Sequence, residues 1–247
     1  MKSAVVTVGN ELIYGERSDD NRTWMLSILK EKGLPAGLAL TLPDDENSIA
    51  LWINVLKDKG YGPVFVSGGI GGTHDDRTRQ GIALGLGRPL ICHEECFKIL
   101  QKRYGRNFSE QRQRMAWLPQ GSMLIPNEIG APGFYVDEVY AFPGFPEMLR
   151  PMFIWVLDRL VKRPGERWLV REWHLPLSEG VIAADVERFV EKHPALSVGL
   201  YPHIGEKGSE VTVRLRFRPG DEKAVEEFTA LIETYAVIGE RKGGGYK

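Results

Sequence analysis

The sequence predicts an α/β protein: a sheet with crossover helices, followed by a small α+β module. Three observations carry that expectation. Apolar runs of strand length alternate with segments of helical period from Ala4 to Val161. Clusters of Gly, Asn, Asp and Glu follow directly after strand candidates, as at the carboxyl edge of a parallel sheet. Beyond Gly165 the order changes to strand, helix, strand, strand, helix, which suits a separate α+β unit.

In chain order, Ala4 to Val8 is a Val-rich run that fits a pleated, buried surface. Behind Ser18 and Asp19, which suit an N-cap, Trp24, Met25, Ile28 and Leu29 recur at helical spacing. Leu38 to Leu42 reads as strand, and Ile49, Trp52, Val55 and Leu56 mark a second helix. Val64 to Val66 is a third strand ending in a glycine-rich loop, after which Asp75 to Leu86 predicts a helix. Charged helical segments are expected at Glu94 to Tyr104 and Ser109 to Leu118. Short strands at Met123 to Ile125, Phe134 to Val136 and Val139 to Phe142 lead into a long amphipathic helix, Glu147 to Val161. Lys162-Arg163-Pro164-Gly165 supplies a helix stop and linker. The module reads as strand Trp168 to Leu175, helix Val181 to Val190, strands Leu196 to Tyr201 and Val211 to Phe217, and helix Val225 to Tyr235. The expected boundaries are 1–164 for the large domain, 165–240 for the module and 241–247 for a flexible tail.

Over 247 residues, 43% hydrophobic and 26% charged content excludes a collagen, a mucin or a wholly disordered chain. Thirty-two Lys and Arg against 33 Asp and Glu leave a net charge of -1, so no bulk attraction draws the chain to nucleic acid or anionic membrane. The longest apolar run, Met152 to Leu157, is six residues, against the roughly 20 that span a bilayer. Met1-Lys2-Ser3 leads into a strand and not into a signal peptide, so a cytoplasmic location is expected, with neither membrane nor nucleic acid as partner. Cys92 and Cys96 are too few for a disulfide framework. Four residues apart they would share a helix face, and with His93 they offer three of the four ligands of a closed zinc site. No second Cys or His pair follows, so ordinary reduced thiols are the expectation.

Four clusters fall after strands: Gly9-Asn10-Glu11, Pro43-Asp44-Asp45, Gly68 to Asp76, and Pro143-Gly144-Phe145-Pro146-Glu147. Parallel strands share one carboxyl edge, so clusters far apart in sequence would converge there on a single crevice. Gly68, Gly69, Gly71 and Gly72 lack the Cβ that would keep backbone N–H groups from an anion, and a helix starting near Asp75 would aim its positive end at the same point. A phosphate or diphosphate suits that loop; so does a tight strand-to-helix turn with the acids as caps. The loop is neither a Walker A motif nor G-x-G-x-x-G. Asp75 and Asp76 would repel a phosphate unless a divalent cation bridges them to it, and Asp44 or Asp45 could add a ligand or equally cap the next helix. Glu11 suits a metal, a water or a sugar hydroxyl, and Arg77 and Arg79 suit either phosphates or a solvated helix face.

The series Gly9-Asn10-Glu11-Leu12 with Gly15 and Asn21, Gly68-Gly69-Ile70-Gly71 with Thr73, Asp75, Asp76 and Thr78, Pro126-Asn127 with Gly130 to Phe134, and Pro143-Gly144-x-Pro146-Glu147-Met148 resembles the molybdopterin-binding fold family. Within it, the chain is most similar to the N-terminal part of the competence/damage-inducible CinA proteins, over nearly its whole length. The resemblance implies a three-layer α/β/α domain on a mostly parallel sheet, a homo-oligomer, and a crevice for an adenine nucleotide or a pterin. It also implies ADP-ribose pyrophosphatase activity with a divalent cation, Mg, Mn or Co, giving AMP and ribose 5-phosphate. Mapped onto these positions, it gives Asp44, Asp76 and Glu11 catalytic roles and makes Asp44, Asp75 and Asp76 the metal ligands. Gly9, Asn10, Gly68, Gly69, Gly71, Gly72, Thr73, Thr78, Asn127, Pro143, Gly144 and Glu147 would contact substrate and phosphate. Gly72 stands where the family usually has Pro, which would loosen the loop without removing a functional group. The full-length proteins continue into an amidase domain absent here, so no deamidase activity is expected.

Two alternatives accompany that reading. One is a molybdopterin-binding or adenylylating protein of molybdenum-cofactor synthesis, or a non-catalytic nucleotide binder on the same loop. The other is nucleic-acid binding by the module, through Gly205-Glu206-Lys207-Gly208 and the alternating Arg214, Arg216 and Arg218. A glycine hairpin turn and a solvated edge explain those residues more plainly.

Overall fold

The computed structural model describes residues 2–161, 168–205 and 208–242. By packing, the chain divides into two units, Met1–Gly165 and Glu166–Lys247. The first runs β1 (Lys2–Val8), α1 (Asn10–Ile13), α2 (Asp20–Glu31), β2 (Ala36–Leu42), α3 (Glu46–Asp58), β3 (Tyr61–Ser67), α4 (Thr78–Gly85), β4 (Leu90–Cys92) and α5 (Glu94–Tyr104). It continues through α6 (Glu110–Gln113), β5 (Trp117–Pro119), β6 (Met123–Ile125), β7 (Gly133–Val136), β8 (Val139–Phe142) and α7 (Pro146–Arg159).

Period-two burial in the central strands produces three layers. Ala4, Val6 and Val8 of β1 face one side of the sheet with Val64 and Val66 of β3, under Ile49 and Ile53 of α3, Ile82 of α4 and Leu100 of α5. Val5 and Phe65 face the other side with Phe142, under Met25 and Leu29 of α2 and Leu149, Phe153 and Val156 of α7. The sheet order is β2-β1-β3-β8-β7-β6. β1, β2, β3 and β8 run parallel, while β7 and β6 join antiparallel, so the sheet is mostly parallel as the sequence predicts.

Two expected helices differ. The helix expected from Asp75 begins only at Thr78, with Arg77 at its N-cap, so both aspartates stay in the loop. The segment from Ser109 supplies only the four residues of α6 before a short 3-10 turn and β5, which pairs antiparallel with β4. Cys92 therefore lies on a strand opposite Trp117 and does not share a helix face with Cys96.

The second unit comprises β9 (Leu169–Leu175), α8 (Ala183–Lys192), β10 (Ser197–Gly205), β11 (Gly208–Phe217) and α9 (Glu222–Lys242), with antiparallel sheet order β10-β11-β9. Val211, Val213, Leu215 and Phe217 alternate inward onto Val186 and Phe189 of α8 and Val225, Phe228 and Ile232 of α9. On the opposite face Arg214 pairs with Glu172, and Arg216 donates to the Tyr201 hydroxyl. Gly205 and Gly208 close the β10–β11 hairpin. The predicted linker Lys162 to Gly165 and the end of the predicted tail, 243–247, lie outside the described residues. Among the described residues no helix is long and apolar enough to cross a membrane.

Candidate functional site

Because β1, β2, β3 and β8 are parallel, the segments that follow them leave the sheet at one edge. The ladders continue past the strand ends: Gly9 N donates to Leu42 O and Gly68 N to Phe142 O, both at 3.0 Å. β1 lies between β2 and β3, the point where strand order reverses and open α/β sheets leave a crevice. That crevice, about 240 Å³, is lined by Thr7, Gly9, Glu11, Asp44, Gly68, Gly69, Asp75 and Asp76. Leu12, Arg17 to Asn21, Gly144, Phe145 and Pro146 belong to the same lining.

The glycine loop is shaped by close approach. At Gly68 (φ +102) a Cβ would sit 2.2 Å from the Val8 carbonyl oxygen. At Gly69 (φ +63) it would sit 2.4 Å from Thr78 Oγ1 and 3.4 Å from Asp44 Oδ1. Only glycine fits both positions, and the loop backbone is brought directly against Asp44.

Asp44 is gripped on one side only. Its Oδ2 accepts from Asn10 N–H at 2.8 Å, and its own N–H donates to Asn10 Oδ1 at 3.2 Å, a reciprocal clasp between the segments after β1 and β2. Burial pushes the Asp44 carboxyl above its ordinary pKa, against the pull of the Asn10 N–H, and the charges of Glu11, Asp75 and Asp76 push the same way. Asp45 takes the other role: its carboxylate caps α3 by accepting from Ser48 N–H at 2.9 Å.

Asp76 turns into the loop. Its Oδ1 accepts from Gly71 N–H at 2.8 Å, and its Oδ2 from Thr73 N–H at 2.8 Å and the Thr73 hydroxyl at 2.5 Å. A loop that keeps its shape by these bonds presents fixed backbone amides to a ligand. The expected metal set of Asp44, Asp75 and Asp76 is not assembled: among the described residues, no group of three or more His, Cys, Asp or Glu is placed to hold a metal ion. The cause is local, since Asp76 serves the loop and the Asp75 side chain is 62% exposed. Asp44 Oδ1, turned toward Gly69, with Glu11 in the same lining, fits the smaller demand of Mg²⁺, which binds through one or two carboxylates plus phosphate oxygens.

Other expected residues do not line the crevice. Asn10 positions Asp44. Thr78 is fully buried beneath Gly69, its hydroxyl without a hydrogen-bond partner. Gly72 and Thr73 border a separate depression with Arg106, Phe108 and Arg112. A Cβ on Gly72 would come within 2.1 Å of the Gln111 carbonyl oxygen, so this glycine is a packing requirement and does not loosen the loop. Asn127 ties its own loop, donating to Ala131 O at 2.8 Å. Pro143, Gly71 and Glu147 flank the crevice outside its lining. Arg77 pairs with Glu46 at 2.7 Å. Arg79 is 2% exposed, donates to the Arg114 carbonyl, and has its pKa pulled down to about 10 by burial. Neither arginine lines the crevice. His93 accepts from Cys96 N–H to cap α5, which removes it from any zinc set.

Sequence reasoning missed that the start of α2 lines the site. Asp19 accepts from the Thr7 hydroxyl at 2.5 Å, the Thr41 hydroxyl at 3.2 Å and Arg22 N–H at 3.0 Å. Asn21 Nδ2 donates to Gly144 O at 2.7 Å and Ser67 Oγ at 3.3 Å, joining the ends of β3 and β8. Among the described residues, Arg17 is the one basic side chain in the lining. The signal was present in Ser18 and Asp19, because a cap after a parallel strand begins a crossover helix at the carboxyl edge.

Residues 4–163 match the model of a family described as "Probable molybdopterin binding domain". A protein of Archaeoglobus fulgidus is 30% identical over 94% of this chain and 98% of its own length. A CinA-like protein of Geobacter metallireducens is 34% identical over 99% of this chain, which spans 60% of that relative. The crystal structure of the protein CinA, of unknown function, from Thermoplasma acidophilum is 29% identical, with a TM-score of 0.60, over 64% of this chain and 96% of that one.

Proposed function

Because the chain belongs to the family of probable molybdopterin-binding domains and is CinA-like in sequence, we propose that its crevice binds a phosphorylated pterin or nucleotide together with a divalent cation. One observation carries the reading: the Gly68–Gly69 backbone, stripped of side chains, faces a carboxylate with one oxygen uncommitted. The phosphate groups lie along Gly68 and Gly69, and Asp44, helped by Glu11, holds the cation. The bound cation supplies neutralisation of the phosphate charge beside the acidic wall. Asn10 keeps Asp44 aimed, Asp76 keeps the loop in shape, and Arg17 is within the lining to meet a second anionic group.

The test is calorimetric titration of inorganic pyrophosphate, ADP-ribose and a pterin diphosphate, with and without Mg²⁺. The expected result is Mg²⁺-dependent binding that Asp44→Ala abolishes. If none of the three binds with Mg²⁺ present, the reading is wrong.

Two carboxylates of the lining, Asp44 and Glu11, also suit a second reading, hydrolysis of the ADP-ribose diphosphate to AMP and ribose 5-phosphate. With the cation held by Asp44, the Glu11 carboxylate would accept the proton of an attacking water. Chromatography of the ADP-ribose samples decides it: AMP that accumulates with time and is lost in Asp44→Asn supports hydrolysis, and stable ADP-ribose rejects it.

A further inference from the structure

Phe145 stands at the rim of the crevice and is 63% exposed. It belongs to neither of the unit's hydrophobic cores and makes no ring pair among the described residues. Its backbone, by contrast, is tightly held. The Phe145 carbonyl accepts from Met148 N–H at 3.0 Å and Leu149 N–H at 2.9 Å, the Gly144 carbonyl before it accepts from Asn21, and Pro146 follows. A large apolar ring is thus presented to solvent from a fixed stem, the arrangement that stacks with least loss of freedom on binding.

Its position relative to the loop matters. Gly144 touches the phosphate loop: a Cβ on it would lie 3.6 Å from Gly68 Cα. Phe145 is the next residue, about 3.8 Å further along the chain. The crevice, at about 240 Å³, is also smaller than the roughly 300–1,000 Å³ that encloses a whole small ligand. A ligand whose phosphates fill it must rest its remaining bulk on the rim.

We propose that Phe145 is the ring platform of this site: the flat heteroaromatic ring of the ligand, purine or pterin, stacks on its exposed face while the phosphates lie along Gly68 and Gly69. This assignment rests on the proposed phosphate reading of the crevice. It makes Phe145 a specificity residue that separates ring-bearing phosphates from bare ones.

The experiment compares the full chain with Phe145→Ala and Phe145→Trp by calorimetry in Mg²⁺, using inorganic pyrophosphate, ADP and 6-hydroxymethylpterin diphosphate. Stacking on an aromatic side chain predicts about a tenfold loss of affinity, about 1.4 kcal/mol, for the ring ligand in Phe145→Ala. Pyrophosphate affinity stays within about twofold, and Phe145→Trp restores ring binding. The arm that responds, ADP or pterin diphosphate, names the ring. Equal weakening of all three probes, or no weakening of either ring ligand, overturns the proposal. Pyrophosphate that fails to bind the unaltered chain overturns the phosphate reading instead, and the platform with it.

Discussion

Replacing Asp76 by Asn tests whether this residue acts as the staple of the glycine loop. The carboxylate accepts three hydrogen bonds, two of them from the backbone N–H groups of Gly71 and Thr73. An amide keeps one oxygen, so either orientation leaves an N–H₂ facing a backbone N–H. Hydrogen bonds to a charged group contribute about 1.5–3 kcal/mol each. Because the loop is partly exposed and water replaces some of the loss, about 2 kcal/mol is the expected cost. Local opening of the loop should therefore rise about 30-fold. Amide hydrogen exchange measured by NMR reads this directly: Gly71 and Thr73 exchange about 30-fold faster in Asp76→Asn, while amides of β1 and β3 are unchanged. Thr73→Val removes only the hydroxyl bond, and the two substitutions combine less than additively. Unchanged exchange at Gly71 and Thr73, with pyrophosphate binding lost, would refute the staple and make Asp76 a direct ligand group.

Three further outcomes follow from the same geometry. Burial raises the Asp44 pKa, so its contribution to stability is complete below the unfolded carboxyl's 3.8 and is lost as pH rises through the folded value. Asp44→Asn keeps an acceptor for Asn10 and removes the charge; its melting temperature should exceed the unaltered chain's at pH 7, and the difference should vanish in acid. Gly72→Ala drives a methyl into the Gln111 carbonyl, an overpacking that costs about 1–3 kcal/mol. Thermal melts should fall, with faster exchange confined to 105–116. Cys96 is 1% exposed and burial pushes its thiol pKa up to about 12, whereas Cys92 is exposed. Iodoacetamide at pH 8 should place a single adduct on Cys92; a second adduct on the folded chain contradicts the burial of Cys96.

The parallel sheet and the convergence of clusters on one edge were legible because both follow from period and order alone. Three residues are too few to display an alternation of period two, so β5 was hidden at the end of a segment that looks helical, and β4 fell in the gap between two such segments. Charge was the wrong lens for Asp75 and Asp76. Read as anions they demanded a metal; as acceptors beside a glycine loop, one of them is absorbed by the loop's own N–H groups. Asp44 and Asp45 are adjacent and chemically identical, and only the direction in which the chain enters α3 decides that Asp45 caps it and Asp44 faces Asn10. Gly72 depends on the carbonyl of Gln111, a contact between distant segments that no local pattern encodes.

The ligand's chemistry is the complement of what the fold leaves unpaired in the crevice. Around the crevice most polar groups are already spent on the fold: Asp19 on Thr7, Thr41 and Arg22, Asn21 on Ser67 and Gly144, Asp76 on the loop, and one oxygen of Asp44 on Asn10. The groups that stay uncommitted within the lining include Asp44 Oδ1, the carboxylates of Glu11 and Asp20, the Ser18 hydroxyl, the Arg17 guanidinium, a glycine backbone and the ring of Phe145. Each has a natural complement. Carboxylates beside a phosphate require a cation, backbone amides and a guanidinium take phosphate oxygens, and an unpacked aromatic ring takes another ring. A bare sugar would leave the glycine backbone and the Arg17 guanidinium without an anion, and a bare diphosphate would leave the ring. A phosphorylated heteroaromatic ring bound with a cation meets the glycine backbone, Arg17, the Asp44 and Glu11 carboxylates and the ring together, which is why the choice between purine and pterin is the question the Phe145 titrations are built to decide.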